Sequence, residues 1–478
     1  MGKPGVFMVC NTFADDAKSA AADNGMPTVR REEISSAEFY KLRGEVATVR
    51  PLAEGIFDAF VKALTVPLSA QEANPQDKTT GDDVPAEVTV KAGSYSSALE
   101  EFNRMYLDNR WGDGLPLIPP TPEAVKLMLS GTSRKPGEVI GKINPKHGTA
   151  TVEKIAINAV MAGARPQYLP VIIAAMECLA DETFDDLHVL ASAGSFNMII
   201  VVSGPIAEEI GMEAGIGFMG HGWRPNNTIG RSVRLATLNI GHTWPAINDM
   251  ALTGRISPHT FFCFPENTEF SPWQPYHASR GFNAGDSCVT VASIHGESQL
   301  NHFYGGMIGT WTAQGIMDRM VEDIQRGQRR GLIMWGGKGM GKYPGSGMGA
   351  NKHFIIVFPE LAAEYKKMGL DQKGLQDELY KRVYVPFDEL NPAEKRAIQT
   401  AMEIGVIPAD RKAVFQAELK PGGKVPLLIA PDDLNFFVSG GAPGCAFALT
   451  YPRVPPYKQS ALMTRVITGA TLTKAGKS

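Results

Sequence analysis

Two arginines, Arg231 and Arg234, stand three residues apart in the run GHGWRPNNTIGRSVRL, residues 220–235. On a helix that spacing puts both on one face, and a guanidinium turned inward holds a carboxylate or phosphate through two parallel hydrogen bonds. The apolar spacing of Ile229, Val233 and Ala236 predicts such a helix, starting near Asn227 with Asn227 as its cap. The glycine-punctuated loop GFMGHGWRPN leads into it. A helix start of this kind presents unpaired backbone N–H groups and the positive end of the helix dipole. The expected chemistry is capture of a small organic anion by Arg231, Arg234, Asn226 and Asn227. His221 is the proton-transfer candidate beside them, because imidazole titrates near neutrality. Trp223 is expected to wall off water.

The neighbouring sequence strengthens this reading. Four of the nine histidines (His221, His242, His259, His277) and three of the six tryptophans (Trp223, Trp244, Trp273) fall between residues 221 and 277. A lined pocket uses imidazole and indole together; a plain core does not. NIGHTWPAINDM adds Asn239, His242, Asn248 and Asp249, and FPENTEFSPWQPYHASRGF adds Glu266, Asn267, Trp273 and His277. Asn267, Trp273 and His277 are taken as ligand-lining residues. Asp113, in WGDGLP, is a second catalytic candidate, a carboxylate pinned in a rigid loop; its alternative is a turn cap. Cys10 is a third, at the end of a predicted strand where Asn11 or Thr12 can cap a following helix and stabilise a thiolate. The alternative for Cys10 is a small buried strand residue.

Other chemistries find less support. The chain has no HExxH, HxH or facial-triad spacing, and His259 and Cys263 lie in an extended run where a four-residue separation diverges. No metal is expected, and no cofactor is indicated. GGKGMGKY, residues 336–343, has the spacing of a phosphate-binding loop, but Tyr343 stands where Ser or Thr must meet magnesium. It reads as a flexible glycine loop.

These residues need elements to hold them. The chain has 478 residues, enough for two or three cores. Lys and Arg number 47 against 50 Asp and Glu, a net charge of −3, which gives no basic footprint for nucleic acid or membrane. Five scattered cysteines (Cys10, Cys178, Cys263, Cys288, Cys445) form no CxxC pair, which argues against a disulfide scaffold and for a reducing compartment. With no apolar run of membrane-spanning length, no signal-peptide pattern, and Val6 where myristoylation needs Ser or Thr, a cytoplasmic location is expected.

Helices interleaved with short apolar strands predict an α/β fold. GVFMVC, ADDAKSAAADNG, MPTVRREEI and PLAEGIFDAFVKAL read as strand, helix, extended segment and amphipathic helix, a small half-domain over residues 1–68. Residues 69–94 read as a linker, 95–470 as a larger mixed α/β domain, and 471–478 as a loose tail. Within the larger unit FNMIIVVSGP, RGLIMWGGKG, HFIIVFPE and LNFFVSGG share one grammar, an apolar run followed by glycine or proline, and read as buried strands. DSCVTVASI alternates more. Thr151 is placed to cap the helix TVEKIAINAVMAGA, and Pro122 to open another.

Residues 2–70, on the runs GKPGVFMVCNTFADDAKSAAADNGMPTVRREEI and PLAEGIFDAFVKALTVPL, resemble the second half of the domain in UGSC-motif (seleno)proteins. That family is named for a selenocysteine- or cysteine-Gly-Ser-Cys motif and is presumed to do redox or nucleophilic chemistry. Neither UGSC nor CGSC occurs in this chain. The resemblance therefore implies a second subunit that carries the motif, its fold completed by this segment. The larger part, from GDGLPLIPPTPE onward, is similar to long proteins associated with that family and of unsettled activity, so no site residue transfers. The expectation is a subunit of an enzyme acting on a small organic anion, by redox chemistry or carbon–heteroatom cleavage with a partner's thiol or selenol. An acid–base lyase or hydratase working alone, and a non-catalytic binding or scaffolding subunit, are the alternatives.

Overall fold

A computed structural model describes residues 5–23, 25–39, 46–73, 87–184, 186–192, 194–245, 247–251, 253–294, 296–300, 312–336, 352–441, 446–451 and 462–471. Cys445, most of the 336–343 glycine run, the middle of the 69–94 segment and residues 472–478 lie outside them. The fold is α/β.

In the first 73 residues, β1 (Val6–Cys10) and β2 (Arg30–Ile34) pair in parallel, Val6 opposite Arg30 and Cys10 opposite Ile34, with α1 (Ala14–Asp23) in the crossover. Gly25, at φ +72°, turns the chain out of α1. The next helix, α2 (Val46–Thr65), starts earlier than its amphipathic run and carries Pro51 inside; Ile56, Phe60 and Leu64 are its half-buried side. Arg30 closes the end of α2 with all five of its donors. It gives Nη1 to the carbonyls of Ala63 and Val66, Nη2 to Pro67, and a bidentate fork to Glu72 at 2.7 and 3.0 Å. Carbonyls that a helix end leaves open thereby find a partner.

The larger unit opens with α3 (Tyr95–Asp108) and α4 (Pro122–Leu129); Thr121 caps α4, with Pro122 in its first turn as the sequence predicts. A hairpin of β3 (Val139–Ile143) and β4 (Gly148–Thr151) leads into α5 (Val152–Met161), where the Thr151 hydroxyl accepts the Lys154 N–H at 3.2 Å, the cap expected. The next helix, α6 (Leu169–Leu179), is buried except at Glu177. Then come β5 (Asn197–Ser203), α7 (Arg224–Asn239), β6 (Phe262–Pro265), β7 (Cys288–Ile294) and β8 (Gly296–Leu300). After α8 (Ala313–Gly331) follow β9 (Lys352–Val357), α9 (Pro359–Lys367), α10 (Gln372–Arg382), β10 (Tyr384–Pro386), α11 (Pro392–Glu403), α12 (Lys412–Glu418) and β11 (Lys424–Pro426). The last strands are β12 (Leu434–Val438), β13 (Ala446–Tyr451) and β14 (Leu462–Val466).

Two four-stranded sheets repeat one plan. The first runs β14-β7-β5-β6 and the second β8-β13-β9-β12. In each, a central strand has a parallel neighbour on one side and an antiparallel neighbour on the other, and the outer strand pairs antiparallel with that second neighbour. The registers match as well. Val202 of β5 faces Pro265 and Val289, and Val357 of β9 faces Val438 and Ala446. The outer strands are exchanged: β8, which follows β7, closes the second sheet, and β14, which follows β13, closes the first.

Side-chain alternation distributes each strand between two cores. Ile199, Val201, Phe264 and Ala292 of the first sheet meet Phe354, Ile356 and Phe437 of the second. From the outer face of the first sheet, Met198, Ile200, Val202, Val289 and Val291 pack with α5, α6 and α7. Ile355, Val357, Leu434 and Phe436 pack outward with α8, α9, α10 and α11. The result is four layers, helix–sheet–sheet–helix. From Cys288 to Ile294 the run DSCVTVASI is buried throughout, because both faces of β7 are covered.

Two expectations change. RGLIMWGGKG is not a strand: Leu332–Gly336 is a 3-10 turn continuing from α8, with Leu332 and Trp335 both fully buried at the three-residue spacing that such a turn puts on one side. The tail is not loose at residue 471, since the Thr471 hydroxyl donates to the Ser130 carbonyl at 2.7 Å and Ala470 bridges to Thr132.

Candidate functional site

The predicted helix is α7, but it begins at Arg224, with Trp223 in the cap position and no side-chain cap. Pro225 favours this earlier start, because its fixed φ suits the first turn. Asn227 is therefore not the cap. Its amide donates backwards to the carbonyls of Gly220 and Trp223, at 3.0 and 2.9 Å. Asn226, buried, accepts from the Glu213 N–H and donates to the carbonyls of Glu213 and Phe218. Both asparagines fasten the 213–223 loop. The cavity they line with Phe218, Thr260 and Cys263 is about 20 Å³, room for one water and no more. His221 is exposed and makes no hydrogen bond among the described residues. Trp223, also exposed, donates its indole N–H to the Gly217 carbonyl at 2.9 Å.

Arg231 and Arg234 both turn from water, yet to different partners. Arg231 forks onto Asp113 at 2.8 and 3.0 Å and reaches the Pro116 carbonyl at 3.1 Å. Asp113 also accepts the Leu115 N–H of its own turn. The carboxylate is thus held as a counter-ion and turn-former, the alternative weighed for it from the sequence, and Arg231 has its fork already filled.

Arg234 is different. Its side chain is 8% exposed; Nε donates to the Pro258 carbonyl at 3.3 Å, and Nη2 to Asp249 at 3.4 Å. The Phe261 ring lies 5.4 Å from the guanidinium carbon, and Nη1 has no partner. The other Asp249 oxygen belongs to Arg255, which forks onto it at 2.7 and 3.0 Å and also donates to the carbonyls of Leu190, Ser192 and Gly194. Three guanidinium groups thus meet two carboxylates in one buried region, leaving one positive charge unbalanced. Burial pulls the Arg234 guanidinium below its ordinary value, and Asp249 opposes that shift.

The loop carrying Asp249 contains further unmet polar atoms. Asn248 accepts the Trp244 N–H at 2.7 Å through its oxygen, while its Nδ2 is buried without a partner. The Trp244 indole N–H and the Thr243 hydroxyl are likewise unpartnered, as is Oδ1 of Asn239 at the end of α7. Buried polar groups are ordinarily hydrogen-bonded. Five exceptions fall within residues 234–248, among them donors on Arg234, Trp244 and Asn248.

Other predicted residues lie at the far end of the same sheet. The 242–261 loop precedes β6, so Arg234 sits where the parallel pair β5 and β6 begins; Glu266 and Asn267 sit where it ends. Seven strand residues separate the two ends by about 20 Å. Asn267 stitches the two sheets together, its N–H donating to the Val438 carbonyl at 2.8 Å and its amide to Gly440. Trp273 packs in the outer core of the second sheet, 6.5 Å from Phe436, with its N–H on the Leu370 carbonyl. It does not share a cavity wall with Trp223. His277 is fully buried; Nε2 donates to the Asn283 carbonyl at 3.0 Å, and Nδ1 is unpartnered.

Glu266 is the titratable centre of this end. It accepts hydrogen bonds from the Ser203 hydroxyl and, at 3.1 Å to each oxygen, from the Tyr276 N–H. Burial nevertheless pushes its carboxyl up to about 7. Cys288, the cross-strand partner of Ser203, is pushed up to about 11 by burial, with Asp286 and Glu266 adding to the shift. It is a thiol, not a thiolate.

Cys10 stands at the end of β1, before one 3-10 turn (Asn11–Phe13). Asn11 and Thr12 do not cap the following helix; both side chains bond to Ser36 beyond β2. Among the described residues there is no group of three His, Cys, Asp or Glu able to hold a metal ion, and no helix is long and apolar enough to cross a membrane.

Arg255 and Ser203 were not legible as site residues. Arg255 lies in an irregular segment with no periodicity, and Ser203 reads as the polar end of an apolar strand. No family model, no curated protein and no solved structure matches the chain.

Proposed function

We infer that the chain binds a small organic anion between α7 and the 241–249 loop and belongs to an enzyme acting on that anion. One observation carries the reading: Arg234 is buried with one face of its guanidinium unpaired, in a cluster with an excess positive charge. An anion meeting Nη1 balances that charge, and the unpartnered N–H groups of Trp244 and Asn248 stand on the same loop as Asp249, the carboxylate that Arg234 already meets. A charge-assisted hydrogen bond in such surroundings is roughly twice as strong as a neutral one. Arg231, Asn226 and Asn227 serve this site indirectly, by fixing α7 against the 112–117 and 213–223 loops. The N-terminal resemblance adds the chemistry: a partner chain supplies the thiol or selenol, as nucleophile or reductant.

Thermal unfolding of the full chain with oxalate, and separately with sulfate, tests the anion site. Ligand at a hundred times its dissociation constant stabilises by about 2.7 kcal/mol, so the midpoint rises with anion concentration. Arg234→Gln abolishes that rise. Trp244→Phe, which keeps a ring and loses the N–H, reduces it. Arg104→Gln, at an exposed surface pair, leaves it unchanged. An equal rise in the Arg234 and Trp244 variants overturns the site. Mass spectrometry of the complex from native cells tests the partner: a second polypeptide with a UGSC or CGSC motif is expected, and a homogeneous chain that turns over substrate alone counts against it.

A further inference from the structure

His242 stands in the loop of the proposed anion site with no role yet assigned. Its backbone is left-handed, φ +58°, a conformation that a residue with a side chain keeps only where its surroundings impose it. The constraints are visible: the Trp244 N–H donates to the His242 carbonyl at 3.1 Å, and the Thr243 N–H reaches back to Thr237 in α7. The half-buried imidazole meets the Trp244 ring edge-on at 5.1 Å. That same ring carries an unpartnered N–H and has the Lys146 ammonium 5.7 Å from its centre.

The charges acting on the imidazole come from two other elements: Lys146 from the turn between β3 and β4, and Lys154 from the first turn of α5. On its own loop the one carboxylate is Asp249, engaged by Arg234 and Arg255. Burial first, then the two lysines, push His242 down to about 4, so the ring is neutral at physiological pH. An anion arriving beside Trp244 offsets the field of those lysines. Opposite charge nearby favours the charged form of imidazole.

We propose that His242 takes up a proton when the anion binds, so that the site captures anion and proton together. The proton comes from solvent, lands on the free imidazole nitrogen, and breaks no bond of the ligand. The ligand class this favours is a small carboxylate or phosphate-like anion that receives a hydrogen bond from the resulting imidazolium. The inference rests on the anion reading of the loop.

Isothermal titration calorimetry of the full chain with oxalate, and separately with sulfate, decides it; both anions are fully ionised at pH 6. Repeating the titration in buffers of different ionisation enthalpy reads the protons exchanged. Wild type is expected to take up a fraction of one proton at pH 6, with an affinity that falls by as much as tenfold per unit as pH rises from 5 towards 7. His242→Gln is expected to bind with no uptake and a flat pH profile. Lys146→Met, at a half-exposed position, relieves one repulsion in the free and the bound states alike and moves the pH range of uptake upward, so uptake at pH 6 increases; it carries the test if the glutamine variant does not fold. Binding to wild type without proton uptake overturns the proposal and leaves the anion site standing. Uptake unchanged in His242→Gln, or in Lys146→Met, overturns the assignment to this imidazole. If neither anion binds wild type, the anion reading itself is overturned, and the proton coupling falls with it.

Discussion

Arg231 and Arg234 share a residue type and a helix, and differ in what their carboxylates leave free. Asp113 fills the fork of Arg231, whereas Asp249 divides itself between Arg234 and Arg255 and leaves Nη1 bare. Spacing put both on one face and left open whether they turn to a ligand or pair with nearby acids; only the partners decide which one can receive a ligand. The same holds for histidine. His221 looked well placed by sequence proximity, yet it precedes α7, and about 15 Å of helix separates it from Arg234 at 1.5 Å per residue. His242, eight residues beyond Arg234, returns on the adjoining loop. At the opposite end of the sheet, Glu266 makes a separate prediction. Its folded carboxyl titrates at about 7 against 4.5 for the free group. The folded state therefore binds the proton more tightly. The resulting stabilisation is fully present below about pH 4.5 and is lost as pH rises through 7, by about 3 kcal/mol in all. Glu266→Gln removes this dependence: in urea denaturation, wild type loses stability relative to the variant between pH 5 and 8. Parallel curves for the two proteins would falsify the assignment.

Among elements, α7 shows how far local sequence reaches. Its apolar side, Ile229, Val233 and Ala236, is buried as the spacing predicts. Its first turn is displaced by one proline. Thr151 caps its helix as read, and Thr121, ahead of the predicted Pro122 opening, caps another, because an extended threonine before a helical run has few other uses for its hydroxyl. Asn227 does not, because the loop folds back and offers carbonyls to its amide. Gly230 marks where α7 meets β6. A Cβ there would stand 2.0 Å from the Phe261 carbonyl oxygen and 2.5 Å from Thr260 Oγ1. Alanine is the better helix former by about 1 kcal/mol, but Gly230→Ala is expected to lose about 1–3 kcal/mol net through that overlap. Chemical denaturation reads the difference; a more stable variant would show that the helix can move away from the strand at no cost.

The whole molecule is set by the exchange of outer strands. Each four-stranded sheet contains one strand from the other half of the chain, and the inner core draws Ile199, Val201 and Phe264 from one sheet and Phe354, Ile356 and Phe437 from the other. Neither sheet can open fully while the other stays intact. Amides of β5 and β9 are therefore expected to exchange with deuterium through one global opening, at the same free energy. A gap of several kcal/mol between the two strands would mean that the halves unfold separately. The exchange also explains why Asn267 and Ser439, remote in sequence, bond across the sheets to Gly440 and Pro265.

Hydrophobic periodicity, a capping threonine and glycine stops determined the α/β class, most of the longer helices and the buried strands β1, β5, β7, β9 and β12, because those signals act within a few residues of one another; the short strands β3, β4, β10 and β11 and the outer strands β8, β13 and β14 carried no such signal. Local sequence also marked the 220–282 stretch as chemically loaded. Tertiary structure alone decided which strands pair, that the outer strands cross over, and that the marked residues divide between two ends of one sheet. The reason is physical. A guanidinium, an imidazole or a carboxyl takes its character from the charges and hydrogen-bond partners within a few ångströms, and here those partners come from segments scores of residues away.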